Sequence, residues 1–578
     1  MPAILRVDTV RQCHPHDVRL QDNPGGPVVR CAQRSQTMTQ DVATTTAAQS
    51  VGAAPLVAFL LVVCGTLLLC LLFGADSEGP NDLYAAGRTL GPRRNALALT
   101  GDYISVLTLV TTTGIVALNG YDGMTVAICA VGALGVLLLL AQPLRNIGRY
   151  TLGDTLDARF PGNRTRIAGV VATLCFCLPM AVLQLVAAGS AVAALVGLSH
   201  TGAAQICTAF IGAMMICAAA ISGMRGNTML QAIKTVVLLV AMTALALFVL
   251  KRFSWSVTNL LDEAASNSAD PAGFFAPGMF RGAGWTGRLD LVSTQITVVL
   301  GTAVAPHLLM RINAADHATS ARRSVKYTIA MVGAFTALAT LLALGAAALV
   351  GGPNIVASDP RGNTSLLLLV DRIADGASGG ILLSLTVSAV FLTSLTVVTA
   401  LTLSAAASLA HDIFTHIVRH GGRTRPGSEV TAMRWATPAV CLLVVTVSVA
   451  LQGSDVHFLA QFAASAAASA ILPALLLELF WKGYTSTGML WSIYGGLGCS
   501  LLLQLFGPTT SGSPTAMFPS ADFSWYPLGT AGLVAIPTAF VLGFVASRLT
   551  TGPRGQIPYA ELEVKMLTGV GGPADTAG

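Results

Sequence analysis

Two short stretches of the sequence decide the fold. Residues 98–105 read ALTGDYIS, which places Gly101 and the carboxylate of Asp102 inside an otherwise apolar run. Residues 300–307 read LGTAVAPH, which places Gly301 and Pro306 inside a second apolar run. Glycine and proline weaken the hydrogen bonding of a helix, and the carbonyl groups freed at such a break can ligate a cation. The two stretches therefore predict two interrupted membrane helices.

The composition of the 578 residues places both runs in a membrane. The chain is 53% hydrophobic and only 10% charged, whereas soluble domains are about a quarter charged. Because so few charges cannot cover a chain of this length with a solvated surface, the excess apolar residues must face lipid. This excludes a soluble enzyme, a secreted disulfide-rich protein and a disordered protein. The net charge of +6 comes without a Lys/Arg-rich block, so we expect no nucleic-acid partner.

Apolar runs long enough to cross a bilayer occur about thirteen times, since a crossing helix needs roughly 20 mainly apolar residues. The sequence therefore predicts an all-α polytopic membrane protein. The runs are roughly residues 54–74, 95–118, 123–143, 166–197, 202–222, 227–250, 289–310, 325–350, 379–408, 435–451, 457–481, 487–506 and 526–547.

The interrupted spans are the second and the seventh of this series. The two are five spans apart, and each span crosses the membrane once. If a five-helix unit is followed directly by a second copy, the odd number of crossings leaves that copy inverted in the membrane relative to the first. The predicted repeats cover about residues 95–250 and 289–481. Paired broken helices at matching places in two inverted halves mark the central site of a secondary transporter. The alternative is that glycine and proline are simply common in membrane helices.

Basic residues in the loops predict the orientation. Most of them, Arg311 included, lie in cytoplasmic segments if the N-terminus is outside and the C-terminus inside. We expect a multi-pass protein of a bacterial plasma membrane, with a transporter domain at 54–548 and a cytoplasmic tail at 549–578. Residues 1–53 carry five Arg, which would resist translocation. We therefore expect this tail to be disordered, or to include residues that precede a true start at Met38.

Three of the ionisable residues inside the predicted spans need a specific explanation. A carboxylate such as Asp102 costs about 2.5–3.5 kcal/mol at the bilayer centre. Such a carboxylate is stable there only if a cation, a proton, a helix end or a water-filled cavity compensates its charge. For Asp102 two interpretations are equally good: it caps the following helix, or it lies in a substrate cavity. Lys234 lies near the cytoplasmic end of its span, so we expect it to extend to the interface. His307 is expected to be a packing residue.

Motifs for catalysis or for nucleotide binding are missing from the sequence. We find no phosphate-binding loop, no nucleophile elbow and no HExxH zinc motif. We therefore expect neither an enzyme nor a cofactor, and an ion gradient is the remaining energy source for a transporter.

These features together resemble the sodium/solute symporter family, and within it the acetate (monocarboxylate) permease branch. The resemblance covers most of residues 80–550. It rests on the segments DLYAAGR at 82–88, ALTGDYIS at 98–105, GYDG at 120–123, LRNIGRYT at 144–151, PHLLMR at 306–311, HD at 411–412, and FP and YP at 518–519 and 526–527.

The resemblance implies a leucine-transporter-like fold with thirteen helices and a sodium site between the second and ninth spans. Carried over by position, the ligands are the carbonyl oxygens of Gly101, Ile104 and Ala389 and the hydroxyl of Thr393. The residue before Thr393 is often Ser in the family, but here it is Leu392. One ligand is therefore missing, and the coupling ion is either sodium or a proton.

The resemblance also implies a substrate cavity between the broken helices and the fourth span. Its predicted residues are Asp102, Tyr103, Ser105, Gln184, Gly301 and Thr302. A carboxylate would be held there by a half-helix N-terminus, backbone N–H groups and these side chains rather than by an Arg.

The expected function is cation-coupled symport of a short monocarboxylate, such as acetate, propionate or pyruvate, by alternating access. Uptake of another small solute, such as proline, a sugar or pantothenate, is the main alternative. A membrane sensor built on a transporter fold and a channel are less favoured alternatives.

Overall fold

The structure is a computed structural model. It describes residues 79–570 except 196–201, 283, 374–375, 419–426, 455, 514–515 and 551–556, together with part of 61–72. The predictions for residues 1–53 and for most of the first span lie outside the described residues.

Helices make up nearly all of the regular structure in this part of the chain. In chain order they are α1 Pro80–Ala85, α2 Pro92–Tyr103, α3 Val106–Ile147, α4 Leu152–Asp157, α5 Asn163–Leu195, α6 Ala203–Arg252, α7 Val257–Ser266, α8 Trp285–Ala303, α9 Pro306–Asn313, α10 Ala318–Leu349, α11 Gly352–Ser358, α12 Ser365–Ile373, α13 Gly376–Ala407, α14 Ser428–Ala450, α15 His457–Ala466, α16 Leu472–Phe480, α17 Ser486–Leu505, α18 Gly532–Leu549 and α19 Tyr559–Thr568. Two wide-turned π segments, Ser408–Val418 and Ala467–Ile471, extend α13 and join α15 to α16.

Eleven spans in the described part of the chain are long and apolar enough to cross a membrane. This confirms the prediction of an all-α polytopic protein. The span from Ser388 to Val418 is the most enclosed of them. It packs against α5 and α6, so it lies at the centre of the bundle.

Both predicted interruptions are present. The helix α2 ends at Tyr103 and α3 begins at Val106, with an extended backbone at Ile104 and Ser105. The helix α8 ends at Ala303 and α9 begins at Pro306. Proline suits the first turn of a helix, because the N–H that it lacks would have no partner within the helix.

Glycine forms two sharp turns at places where the sequence analysis ended one predicted span and began the next. Gly120 (φ 46°, ψ −113°) bends α3, and Gly223 (φ 49°, ψ −159°) bends α6. These positive φ angles are unfavourable for residues with a Cβ. At Gly120 a Cβ would also collide with the carbonyl oxygen of Phe274. The backbone leaves the helical conformation at each of these glycines, so α3 and α6 each consist of two helical parts joined at a sharp turn. The two parts of α6 are separate candidate spans, Ala203–Ile221 and Gly223–Arg252.

The predicted C-terminal tail contains a docked helix. Leu562 and Met566 of α19 are buried. The Asn146 amide donates to the carbonyl of Met566 (2.8 Å), and the Tyr559 hydroxyl donates to the carbonyl of Leu479 (2.9 Å). The helix α19 is therefore tied both to the end of α3 and to α16.

Candidate functional site at the broken helices

The break between α2 and α3 is occupied by a lysine side chain. Lys234 of α6 is fully buried, and its Nζ donates to the carbonyl oxygens of Gly101 and Ile104, the latter at 2.6 Å. The prediction that Lys234 extends to the membrane interface is therefore wrong. The last carbonyls of a helix lack partners within the helix and carry its negative dipole end, so they attract an ammonium group.

A glycine allows α2 and α6 to come this close. A Cβ on Gly101 would lie 2.6 Å from the carbonyl oxygen of Gln231. The amide of Gln231 donates to the carboxylate of Asp102 and to the carbonyl oxygen of Thr396 (3.0 Å). Gln231 therefore links α2, α6 and α13 beside the break.

Asp102 forms a buried ion pair with Arg311 of α9. The carboxylate accepts from Nε of Arg311, and Nη1 of Arg311 donates to the Thr228 hydroxyl. Both charged side chains are almost completely buried. Arg311 is therefore not a loop cation, and its use in the orientation argument was wrong. The cap interpretation of Asp102 is also wrong, because the Ser105 hydroxyl caps α3 by accepting from Thr108 N (3.0 Å).

The four predicted sodium ligands lie on α13 and at the break. Ala389 and Thr393 are buried in α13. Among the described residues the Thr393 hydroxyl has no hydrogen-bond partner. The carbonyls of Gly101 and Ile104 are already bonded to the Lys234 ammonium. The use of all four as sodium ligands stays a prediction.

Two of the predicted substrate residues meet between the broken helices. The Tyr103 hydroxyl donates to the carbonyl of Ala130 (2.7 Å) and lies beside the Thr302 side chain. The Thr302 hydroxyl donates to the carbonyl of Val298 (2.6 Å). These two hydroxyl groups come from the two halves of the predicted repeat.

The other predicted substrate residues have structural contacts. Gly301 packs so closely on α15 that a Cβ would collide with the carbonyl of Ala464. Gln184 is buried, and its amide nitrogen lies 4.0 Å from the sulfur of Met180 on the preceding turn of α5. Another residue of α5, Phe176, stacks on His307 of α9 at 5.7 Å between ring centroids. This contact places α5 beside the second broken helix.

A second charged cluster lies where α4, α5 and the π segment of α13 meet. Arg166 Nη1 lies 3.0 Å from one oxygen each of Asp154 and Asp412. His411 bridges Asp154 (3.0 Å) and Glu429 (2.6 Å). Burial by itself raises the pKa of Asp154, but His411 and Arg166 outweigh burial and hold that pKa well below its usual range.

In the described structure this cluster forms an ion-pair junction. Asp154, His411 and Asp412 are close enough to share a metal ion. However, the guanidinium of Arg166 already lies between the two carboxylates and supplies the compensating charge. The sequence analysis used residues 411–412 only as part of the family resemblance and did not predict the cluster.

Comparison with known proteins identifies the family. The model of the "Sodium:solute symporter family" matches residues 83–496. The chain belongs to this family. The resemblance drawn from the sequence is thereby confirmed, and the chain is a multi-pass membrane transporter rather than an enzyme.

Two curated relatives match nearly the whole chain of this symporter. The "Monocarboxylic acid transporter" of Corynebacterium glutamicum is 34% identical over 524 residues, which are 89% of this chain and 94% of that protein. The "Uncharacterized symporter YwcA" of Bacillus subtilis is 33% identical over 515 residues, covering 89% of this chain and 98% of the relative.

Solved structures show the fold. A Na+-coupled sialic acid symporter in a substrate-bound outward-open state has a TM-score of 0.64 at 12% identity, covering 86% of this chain and 98% of that one. The nucleobase-cation-symport-1 family transporter Mhp1 has a TM-score of 0.52 at 13% identity, covering 84% of this chain and 99% of that one. The leucine-transporter-like fold with an inverted five-helix repeat is therefore confirmed.

Proposed function

We propose that this symporter takes up a short monocarboxylate, such as acetate, propionate or pyruvate, together with a sodium ion or a proton, by alternating access. One observation carries the choice of substrate. The relative named as a monocarboxylic acid transporter is 34% identical and aligns along 94% of its own length. Similarity of this extent includes both broken helices and everything between them.

The geometry of the breaks supports an anionic substrate. The half-helices α3 and α9 begin at Val106 and Pro306, inside the protein. The N-terminus of a helix favours negative charge, and the backbone N–H groups of its first turn have no partner within the helix, so they can donate to a carboxylate. Arg311 is held by Asp102, so the carboxylate is bound without it.

The proposal is tested by uptake of radiolabelled acetate into proteoliposomes that contain the purified full chain. Sodium and proton gradients are imposed separately. We expect uptake that propionate and pyruvate inhibit and that proline, glucose and pantothenate leave unchanged. Uptake of one of these latter solutes without acetate uptake would instead establish the alternative substrate class.

A further inference from the structure

The end of α2 exposes backbone acceptors inside the protein. The backbone becomes extended at Ile104 (φ −81°, ψ 110°), so the helix does not continue past the carbonyls of its last turn. Buried carbonyl groups without a donor are costly, so they require a cation or an N–H group. The oxygens of Gly101 and Ile104 are two of the four ligands that the family resemblance assigns to sodium.

Lys234 provides the cation for these carbonyls from within the chain. It lies three residues after Gln231, on the face of α6 that packs against Gly101. Its side chain has no solvent exposure, and its Nζ binds both oxygens at once. The carboxylate whose charge acts on Lys234 is that of Asp102, which is already paired with Arg311. The hydrogen bonds that the structure shows for the ammonium are with the two carbonyl groups.

An ammonium group and a sodium ion compete for the same oxygens. Both are compact positive charges that bind carbonyl groups, and two such charges in one buried site repel strongly. The carbonyls of Gly101 and Ile104 that would coordinate sodium are bonded to Lys234 instead. The residues present therefore do not fit a sodium ion at this site.

We propose that the Lys234 ammonium is the resident cation of this site and that the chain works without binding sodium. The sequence leaves sodium and a proton as possible coupling ions, and the proposal excludes sodium. The inference rests on the proposed function only where uptake is the measured quantity, because sodium binding can be measured without knowing the substrate.

The direct test is sodium binding by the purified full chain in detergent. It compares the wild type, Lys234→Ala and the matched control Lys251→Ala, whose lysine is exposed at the end of the same helix. Binding of radioactive sodium and the melting temperature in sodium chloride against choline chloride are measured. We expect the wild type and Lys251→Ala to show neither binding nor a sodium-specific shift. Lys234→Ala vacates the carbonyls and is expected to gain both.

Sodium binding by the wild type that Thr393→Val weakens would overturn the proposal. A folded Lys234→Ala protein that gains no sodium binding would also overturn it, because the ammonium would then not occupy a sodium site. Should Lys234→Ala fail to fold, the wild-type and Thr393→Val measurements decide alone.

Uptake provides a second, separable measurement. Replacing external sodium by choline at constant pH is expected to change wild-type acetate uptake less than twofold, and a loss of tenfold or more would contradict the proposal. Absence of uptake for every monocarboxylate would reject the proposed function, while the binding experiment would still decide whether Lys234 replaces sodium.

Discussion

At the residue scale, the buried pair of Asp102 and Arg311 has the greatest consequence for stability. An ion pair in the protein interior adds little net stability, but removing one partner leaves the other charge without compensation. Because Arg311 has no solvent exposure, it cannot recover hydration when Asp102 is changed. This requirement explains why a costly carboxylate is kept at membrane depth.

Asp102→Asn keeps the size of the side chain and removes the charge that Arg311 needs. We expect a loss of about 3–5 kcal/mol of stability, as for other broken buried pairs. The melting temperature in detergent should fall, and uptake should fall with it. Asp522→Asn, at an exposed loop residue, is the control. An unchanged melting temperature for Asp102→Asn would show that the pair is not needed.

The close contact between α2 and α6 can be tested by adding one methyl group at Gly101. In Gly101→Ala the new Cβ meets the backbone oxygen of Gln231, which cannot rotate away, so α2 must move from α6. We expect a strong decrease in melting temperature and in uptake. Gly135→Ala in α3 is the matched control, because no atom lies within 4 Å of its new Cβ. This control should be neutral or more stable by about 0.5–1 kcal/mol. Equal behaviour of the two variants would contradict the close contact.

At the element scale, the charged cluster fastens α4 to α5 and to the π segment that follows α13. The side chain of Arg166 is only 10% exposed while it binds Asp154, Asp157 and Asp412. Charge-assisted hydrogen bonds of this kind are about twice as strong as neutral ones. Two consecutive helices and a π segment that lies far later in the chain are thereby held at one point.

The lowered pKa of Asp154 predicts how this junction responds to acid. A carboxylate whose pKa is lowered by folding stabilises the folded state above its unfolded pKa of about 3.9, and this contribution is lost as pH falls through the folded value. We expect Asp154 to contribute equally at pH 7 and pH 5, and less below about pH 4. Melting temperatures of the wild type and of Asp154→Asn should therefore differ most at neutral pH and converge in acid. A constant difference down to pH 3 would contradict this assignment.

At the scale of the whole molecule, the orientation is the main prediction still to be tested. The buried Arg145, Arg166 and Arg311 lie within helices, whereas the buried Arg159 lies in the turn after α4. Exposed arginines at 93, 94, 322 and 323 still favour the same side as the cytoplasm. The expected arrangement keeps the C-terminus inside the cell.

Reporter fusions after Val570 test this arrangement. A green fluorescent protein fused there should fluoresce, and an alkaline phosphatase should be inactive, because the first reporter needs the cytoplasm and the second an oxidising exterior. The same reporters placed in the loop after Phe506 should give the opposite pattern. An active phosphatase after Val570 would reverse the predicted topology.

The sequence was sufficient to predict a chain of many membrane spans with two interruptions, because hydropathy and helix-breaking residues such as Pro306 act locally. Gly101 itself lies within α2, shortly before the break at Ile104. It was insufficient for Lys234 and Arg311, since the position of a charge in a span gives its depth but not the group that it faces. Both bind Gly101 or Asp102, which lie far away in the chain. The sharp turns at Gly120 and Gly223 lie between predicted spans, but hydropathy does not show that a single glycine forms each turn, because many membrane-helix glycines do not bend the backbone.

The small C-terminal helix α19 has a consequence for the conformational equilibrium. It holds Asn146 at the end of α3, within the first predicted repeat, and Leu479 at the end of α16, in the second. A state in which these two ends separate must give up at least one of the two contacts. The free energy of docking α19 therefore stabilises the conformation in which the two ends lie together, relative to the conformation in which they are apart. An offset of about 1.4 kcal/mol would change the ratio of two such states tenfold, so a ten-residue segment outside the membrane can set the resting population of the transporter.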